Sequence, residues 1–169
     1  EITKNNDFSS ALKKVKSECS FAGSMRNNLI KMLDELGLEK HLGIESTSEL
    51  FNIENKYLHS TSVIKYPVFN NGKNYTGSSP SPIKSPVLWK QIEKLFIPEI
   101  NKFNEKLIIP LGKSVNEVLL KIQSENNLND NFILNGFPHP SGANGHRAKQ
   151  FENNKKEMQS IIEKWKYYS

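Results

Sequence analysis

A chain of 169 residues is long enough to close one hydrophobic core, although only 36% of it is hydrophobic. The net charge of +5 arises from 23 Lys+Arg against 18 Asp+Glu, and with Arg26 and Arg147 the only arginines, the positive field is a lysine field that suits a polyanion without requiring one. One cysteine, Cys19, excludes an intrachain disulfide and a cysteine-built metal cluster, and no apolar run approaches membrane-spanning length, so a soluble, intracellular, monomeric protein is expected.

In chain order, 8-FSSALKKVKS-17 has the pattern of a helix. A second helix is predicted over 24-SMRNNLIKMLDELGL-38, where Met25, Leu29, Met32, Leu33 and Leu36 recur at helical spacing and Gly37 marks the stop. Ser46 and Glu49 stand at capping-box spacing and predict a short helix within 46–52. The run 62-SVIKYPVF-69 reads as a strand that Pro67 ends. Residues 68–86 are dense in Asn, Gly, Ser and Pro and exceed the usual connection length, which makes them either a binding loop or a surface excursion. A helix runs through Leu88, Ile92, Leu95 and Phe96, with Pro98 set to kink it or split off its last turn. Then 106-KLIIPLG-112 reads as a buried strand and 113-KSVNEVLLKIQ-123 as a helix burying Val115, Val118, Leu119 and Ile122. A third strand, 132-FILNG-136, follows. A closing helix carries Phe151, Met158, Ile161, Ile162 and Trp165.

Strands separated by helices of this length predict an α/β protein with a parallel sheet and helices on both faces. Ligands bind such sheets beyond the carboxyl ends of the strands. At one of those ends lies 135-NGFPHPSGANGHR-147, with two His, two Pro, three Gly, two Asn, a Ser and an Arg. Its plain structural reading is a Pro/Gly turn before the last helix, capped by Ser141 or Asn144.

A strand running into His-Pro-Ser resembles the second signature motif of the uracil-DNA glycosylase superfamily. The upstream 107-LIIPLGKSVNEVLL-120 is similar to that family's strand–Gly–helix unit, 20-SFAGSMRNNLIKMLDELGL-38 to its Phe-bearing loop and long helix, and 61-TSVIKYP-67 to its Thr-Asn-Val-Val-Lys-Cys segment. The matches fall in family order, and the extension Gly-Ala-Asn-Gly resembles a bacterial branch of the superfamily. The resemblance implies a three-layer α/β/α fold with a short, mostly parallel central sheet. It also implies an enzyme that flips a damaged base of single- or double-stranded DNA and hydrolyses its N-glycosidic bond, with no metal or cofactor.

The resemblance carries roles residue by residue. His139 donates a hydrogen bond to the carbonyl oxygen of the departing base, where negative charge develops. Pro138 and Pro140 restrict its backbone. Ser141, with neighbouring backbone N–H groups, grips a phosphate that Gly142 and Gly145 allow to approach. Asn144, His146 and Arg147 lie along the minor groove, although His146 and Arg147 also fit the first turn of the last helix. Phe21 either stacks on the base or packs under the helix that follows it. Lys65 matches the family lysine and also fits a plain solvated charge.

Two features depart from the pattern. Ser62 stands where well-known members carry the Asn that reads the base through its amide, and a hydroxyl cannot make that paired contact. The family's first motif, a Gly-x-x-Pro-Gly-like turn whose residue positions water, has no counterpart in residues 1–20, which hold neither Gly nor Pro. Family order puts it upstream of Glu1. The expectation is thus a single glycosylase-like domain without its N-terminal strand and first motif, or a member that has lost the water-activating group. The family's iron–sulfur branch needs four cysteines and is excluded. The rival readings are a DNA-binding module without chemistry and a small-molecule or nucleotide hydrolase on a similar sheet.

Overall fold

The computed structural model describes residues 15, 21, 23–52, 54–55 and 57–165. The helix expected over 8–17 lies outside these residues apart from Val15, which is helical. The chain sorts into two compact units. One takes residues up to Ser60 together with Pro140–Gly145, and the other takes Thr61–His139 together with the chain from His146 onward.

The first unit is built on α1 (Ser24–Glu35), whose apolar stripe buries Leu29, Met32 and Leu33. Gly37, at φ 82°, takes the left-handed conformation that stops the helix, and α2 (Leu38–Leu42) follows at once. The predicted helix at 46–52 is a 3₁₀ turn, Thr47–Phe51, and its capping box is present. Ser46 Oγ accepts from the Ser48 N–H at 3.1 Å while the Glu49 carboxylate accepts from the N–H groups of Glu45 and Ser46 at 2.9 and 3.5 Å. This turn is tied to α1 through Asp34. Its carboxylate accepts from Ser46 Oγ at 2.8 Å and from Thr47 N and Oγ1 at 2.8 and 2.7 Å, and Thr47 is completely buried.

In the second unit the strand expected over 62–69 is absent. The N–H of Lys65 donates to the side-chain oxygen of Gln91 at 2.8 Å rather than to a neighbouring strand, and Pro67 has no N–H to offer a ladder. Strand structure starts only at β1 (Phe69–Asn70), which pairs antiparallel with β2 (Lys73–Asn74) in a hairpin. The helical stretch after Ser85 divides into α3 (Pro86–Gln91), a π-helical turn (Ile92–Phe96) and α4 (Ile97–Ile100). Pro98 cannot donate to the carbonyl four residues back, so the turn before it widens and the last turn separates.

β3 (Leu107–Ile108) and β4 (Phe132–Ile133) are parallel, with Leu107 opposite Phe132 and Ile108 opposite Ile133. They are shorter than the runs that predicted them, and β3 is half-buried rather than buried. α5 (Lys113–Ser124) connects them, and α6 (Arg147–Lys164) follows. The core of this unit gathers Ile92, Phe96, Ile100, Val118, Leu119, Ile122 and Ile133. Side chains buried this deeply contribute about 1.5–3 kcal/mol each. The chain is an α/β protein whose described ladders are one parallel pair and one antiparallel hairpin.

Candidate active site

β4 leads through Leu134 and Asn135 into the histidine turn, and a set of neighbours fixes that exit. Asn135 Oδ1 accepts from Asn116 Nδ2 at 2.7 Å. Gly136 takes φ 81°, and its carbonyl accepts from Asn154 Nδ2 at 2.9 Å, with Asn154 so close that a Cβ on Gly136 would lie 2.8 Å from its amide. Phe137 is only 1% exposed and anchors the turn, and its carbonyl accepts from the Gly112 N–H at 3.2 Å. Pro138 and Pro140 are buried on either side of His139, which itself is open to solvent.

Gly112 decides how His139 sits. It precedes α5 at φ 96° and ψ 168°, a region open almost only to glycine. A Cβ there would stand 3.0 Å from the His139 Cβ and 3.3 Å from its Cδ2, so the histidine packs against a bare Cα. That packing removes water from one side of the ring, and desolvation lowers its pKa from 6.5. The shift favours the uncharged imidazole, in which one nitrogen can donate and the other accept.

Residues 140–145 belong to the first unit. Asn28 Nδ2, on α1, donates to the Pro140 carbonyl at 2.9 Å. Ser141 Oγ accepts from the Ala143 N–H at 3.2 Å, and the Asn144 N–H donates to the Ser141 carbonyl at 3.1 Å, closing a tight turn. Gly142 and Gly145 are exposed and neither is left-handed, so what they offer a ligand is bare backbone rather than an unusual conformation. The position before the last helix is held by neither Ser141 nor Asn144. His146 occupies the position before α6 without a side-chain cap bond, and Arg147 is the first helical residue.

Phe21 belongs to the first unit too and has φ 56°, a left-handed backbone that is costly for an aromatic residue. Its ring is half-buried, edge-on to Phe51 at 6.2 Å and 84°, while the Arg26 guanidinium lies over Phe51 at 5.2 Å. Ser62 is exposed in irregular structure. Lys65 is not a merely solvated charge. It pairs with Glu99, donates to Thr61 Oγ1 and lies 5.7 Å from the centre of the Phe96 ring.

Of the residues singled out from sequence, Phe21, Ser141, Gly142 and Asn144 fall in one unit. Ser62, Lys65, His139, His146 and Arg147 fall in the other, and the His-Pro-Ser motif is shared between them. The positioning residues Gly112, Asn116 and Asn154 around His139, and Asn28 on the 140–145 turn, were not singled out. Gly112 was visible as the glycine of a strand–Gly–helix unit, whereas three asparagines in an Asn-rich chain carry no signal. Among the described residues, no cluster of three or more His, Cys, Asp or Glu could hold a metal. No helix among them is long and apolar enough to cross a membrane.

A parallel strand pair that leads into a proline-flanked histidine turn defines an α/β protein. Comparison narrows the class. The family model of the uracil DNA glycosylase superfamily matches residues 11–166, and the chain belongs to that superfamily, whose members act on DNA. It is similar to the uncharacterized protein YoxB of Bacillus subtilis (strain 168), with 47% identity over 148 residues covering 87% of this chain. The chain spans 58% of that relative's length. No solved structure matches it.

Proposed function

We propose that the protein is a DNA N-glycosylase that hydrolyses the bond between a deaminated, uracil-type base and deoxyribose. The observation that carries this reading is His139, shifted toward its uncharged form, held by Gly112 and two buried prolines, and open on one side. In the reaction the N-glycosidic bond breaks, the base leaves with the bonding electron pair, and water adds to the sugar carbon. His139 stabilises the anionic carbonyl oxygen of the departing base with its N–H, after which the base takes up the proton that water releases. A preorganised donor acts only where charge develops, so it lowers the barrier without needing a protonated ring. Phe21 stacks on the flipped base, Ser62 contacts it, and Ser141 and Gly142 hold a phosphate through hydroxyl and backbone. Asn144, His146, Arg147 and Lys65 contribute further polar contacts to the strand. In this reading β3 and β4 belong to a short, mostly parallel central sheet within a three-layer α/β/α domain that needs no metal or cofactor.

The test is release of free base from oligonucleotides containing uracil, hypoxanthine or xanthine, single-stranded and duplex. Release from at least one is expected, and no release from any of them by the full-length protein removes the enzyme reading. Ser62 favours one second reading, a DNA-binding module that has kept the fold without the chemistry, because an exposed hydroxyl replaces the base-reading amide. Binding that weakens steeply with salt, joined to absent base release, identifies that module.

A further inference from the structure

The excursion between Lys65 and α3 has features that base hydrolysis at His139 does not use. Its hairpin is held by its own bonds. The Tyr75 N–H donates to the Val68 carbonyl at 2.9 Å, Tyr75 Oη to the Pro80 carbonyl at 2.7 Å, and Asn70 Nδ2 to the Ser79 carbonyl at 3.2 Å. Two large rings stand out of it, Tyr66 at 62% and Phe69 at 65% exposure, and burying them would be the ordinary outcome. Tyr66 and Tyr75, with Ile64, Pro67, Val68 and Asn74, line an open groove of about 370 Å³. From Thr61 to Ile92 the chain carries no Asp or Glu, yet it carries Lys65, Lys73, Lys84 and Lys90, the last three exposed.

Exposed aromatic faces, an open groove and three exposed lysines on a segment without Asp or Glu together match one kind of partner. We propose that this hairpin is a second nucleic-acid contact, at which unpaired bases of single-stranded DNA stack on Tyr66 and Phe69 while Lys73 and Lys84 pair with phosphates. The charge selects a polyanion, and the rings select among polyanions. A duplex hides the faces of its bases within its own stack, whereas a single strand leaves them available to aromatic side chains. The inference rests on the reading that DNA is the substrate and is independent of whether base release occurs.

The test measures fluorescence anisotropy of an undamaged oligothymidylate of roughly 16 nucleotides, and of the same strand in a duplex, with the intact protein. Tyr66→Ala and Phe69→Ala should each weaken single-strand binding roughly five- to 150-fold, the range that loss of one stacked base gives, and weaken duplex binding much less. Tyr66→Trp and Phe69→Trp keep a face for stacking and should bind the single strand as well as the wild type. Lys73→Gln with Lys84→Gln should flatten the dependence of log affinity on log salt by about 1.4, two single-strand phosphates' worth. Alanine variants that bind the single strand like the wild type overturn the inference. Equal weakening on duplex and single strand does so too, as does loss of binding in the tryptophan variants. Because the oligonucleotide holds no damaged base, failure of the glycosylase reading leaves these outcomes unchanged. Conversely, base release with unaltered hairpin variants removes this inference alone.

Discussion

His139 has to be both reachable and restrained, and the residues around it divide those tasks. Buried Pro138 and Pro140 hold the backbone, and Gly112 allows the ring to lie against the start of α5. Removing the ring by His139→Ala should slow base release by about 10²–10³-fold, the usual loss for one preorganised oxyanion donor, with little change in DNA affinity. The linked pH behaviour has a definite sign. Desolvation lowers the folded pKa below the 6.5 of an unfolded histidine, so the unfolded chain takes up this proton first as pH falls. The contribution of His139 to stability is therefore complete above pH 6.5 and is lost as pH drops through the lower folded value. An NMR titration of the imidazole should have its midpoint below 6.5, and melts from pH 7.5 downward should show a loss that His139→Gln lacks. Gly112→Ala tests the restraint. Its backbone region and the 3.0 Å approach should cost about 1–3 kcal/mol in denaturant unfolding, and base release should fall further than lost stability explains.

At the scale of elements, Asp34 joins α1 to the 3₁₀ turn through three hydrogen bonds. Asp34→Ala leaves the buried Thr47 N–H without its acceptor and Thr47 Oγ1 with only the 3.4 Å bond to the Ile30 carbonyl, and should destabilise the protein by about 1–3 kcal/mol, read as a lower denaturant midpoint. Asp34→Asn keeps one acceptor oxygen and should cost less. This scale also explains what could be read in the sequence. Helices α1, α5 and α6 announced themselves because each carries a period-3.6 apolar stripe over several turns, while Gly37 marks the end of α1 and the Ser46–Glu49 pair the start of the 3₁₀ turn by local chemistry. Pro98 likewise acts through its missing N–H, which no tertiary contact can restore. The strand expected at 62–69 failed for the opposite reason. Val63 and Ile64 give an apolar run, but whether such a run joins a ladder depends on a partner, and here Gln91, 26 residues away from Lys65, takes the bond. The site divides in the same way. His139 was legible from its flanking prolines and its position at a strand end. Asn28, Asn116 and Asn154 act through contacts across long stretches of sequence, which no local pattern encodes.

For the whole molecule, the main structural fact is that one short motif serves two units. The chain leaves one at His139, contributes Pro140–Gly145 to the other, and returns at His146. The groups assigned to leaving-base chemistry and to phosphate contact thus sit next to one another in sequence while being supported by different sets of packing. Superfamily membership over residues 11–166 joins both sets in one inherited plan and directs the reading toward DNA. The most direct measurement is single-turnover release of free base from a uracil-, hypoxanthine- or xanthine-containing oligonucleotide by the full-length protein, beside its His139→Ala variant. Release by the wild type, slowed about 10²-fold or more in the variant while DNA binding persists, is the predicted result. Release at the same rate in both proteins, or in neither, contradicts it.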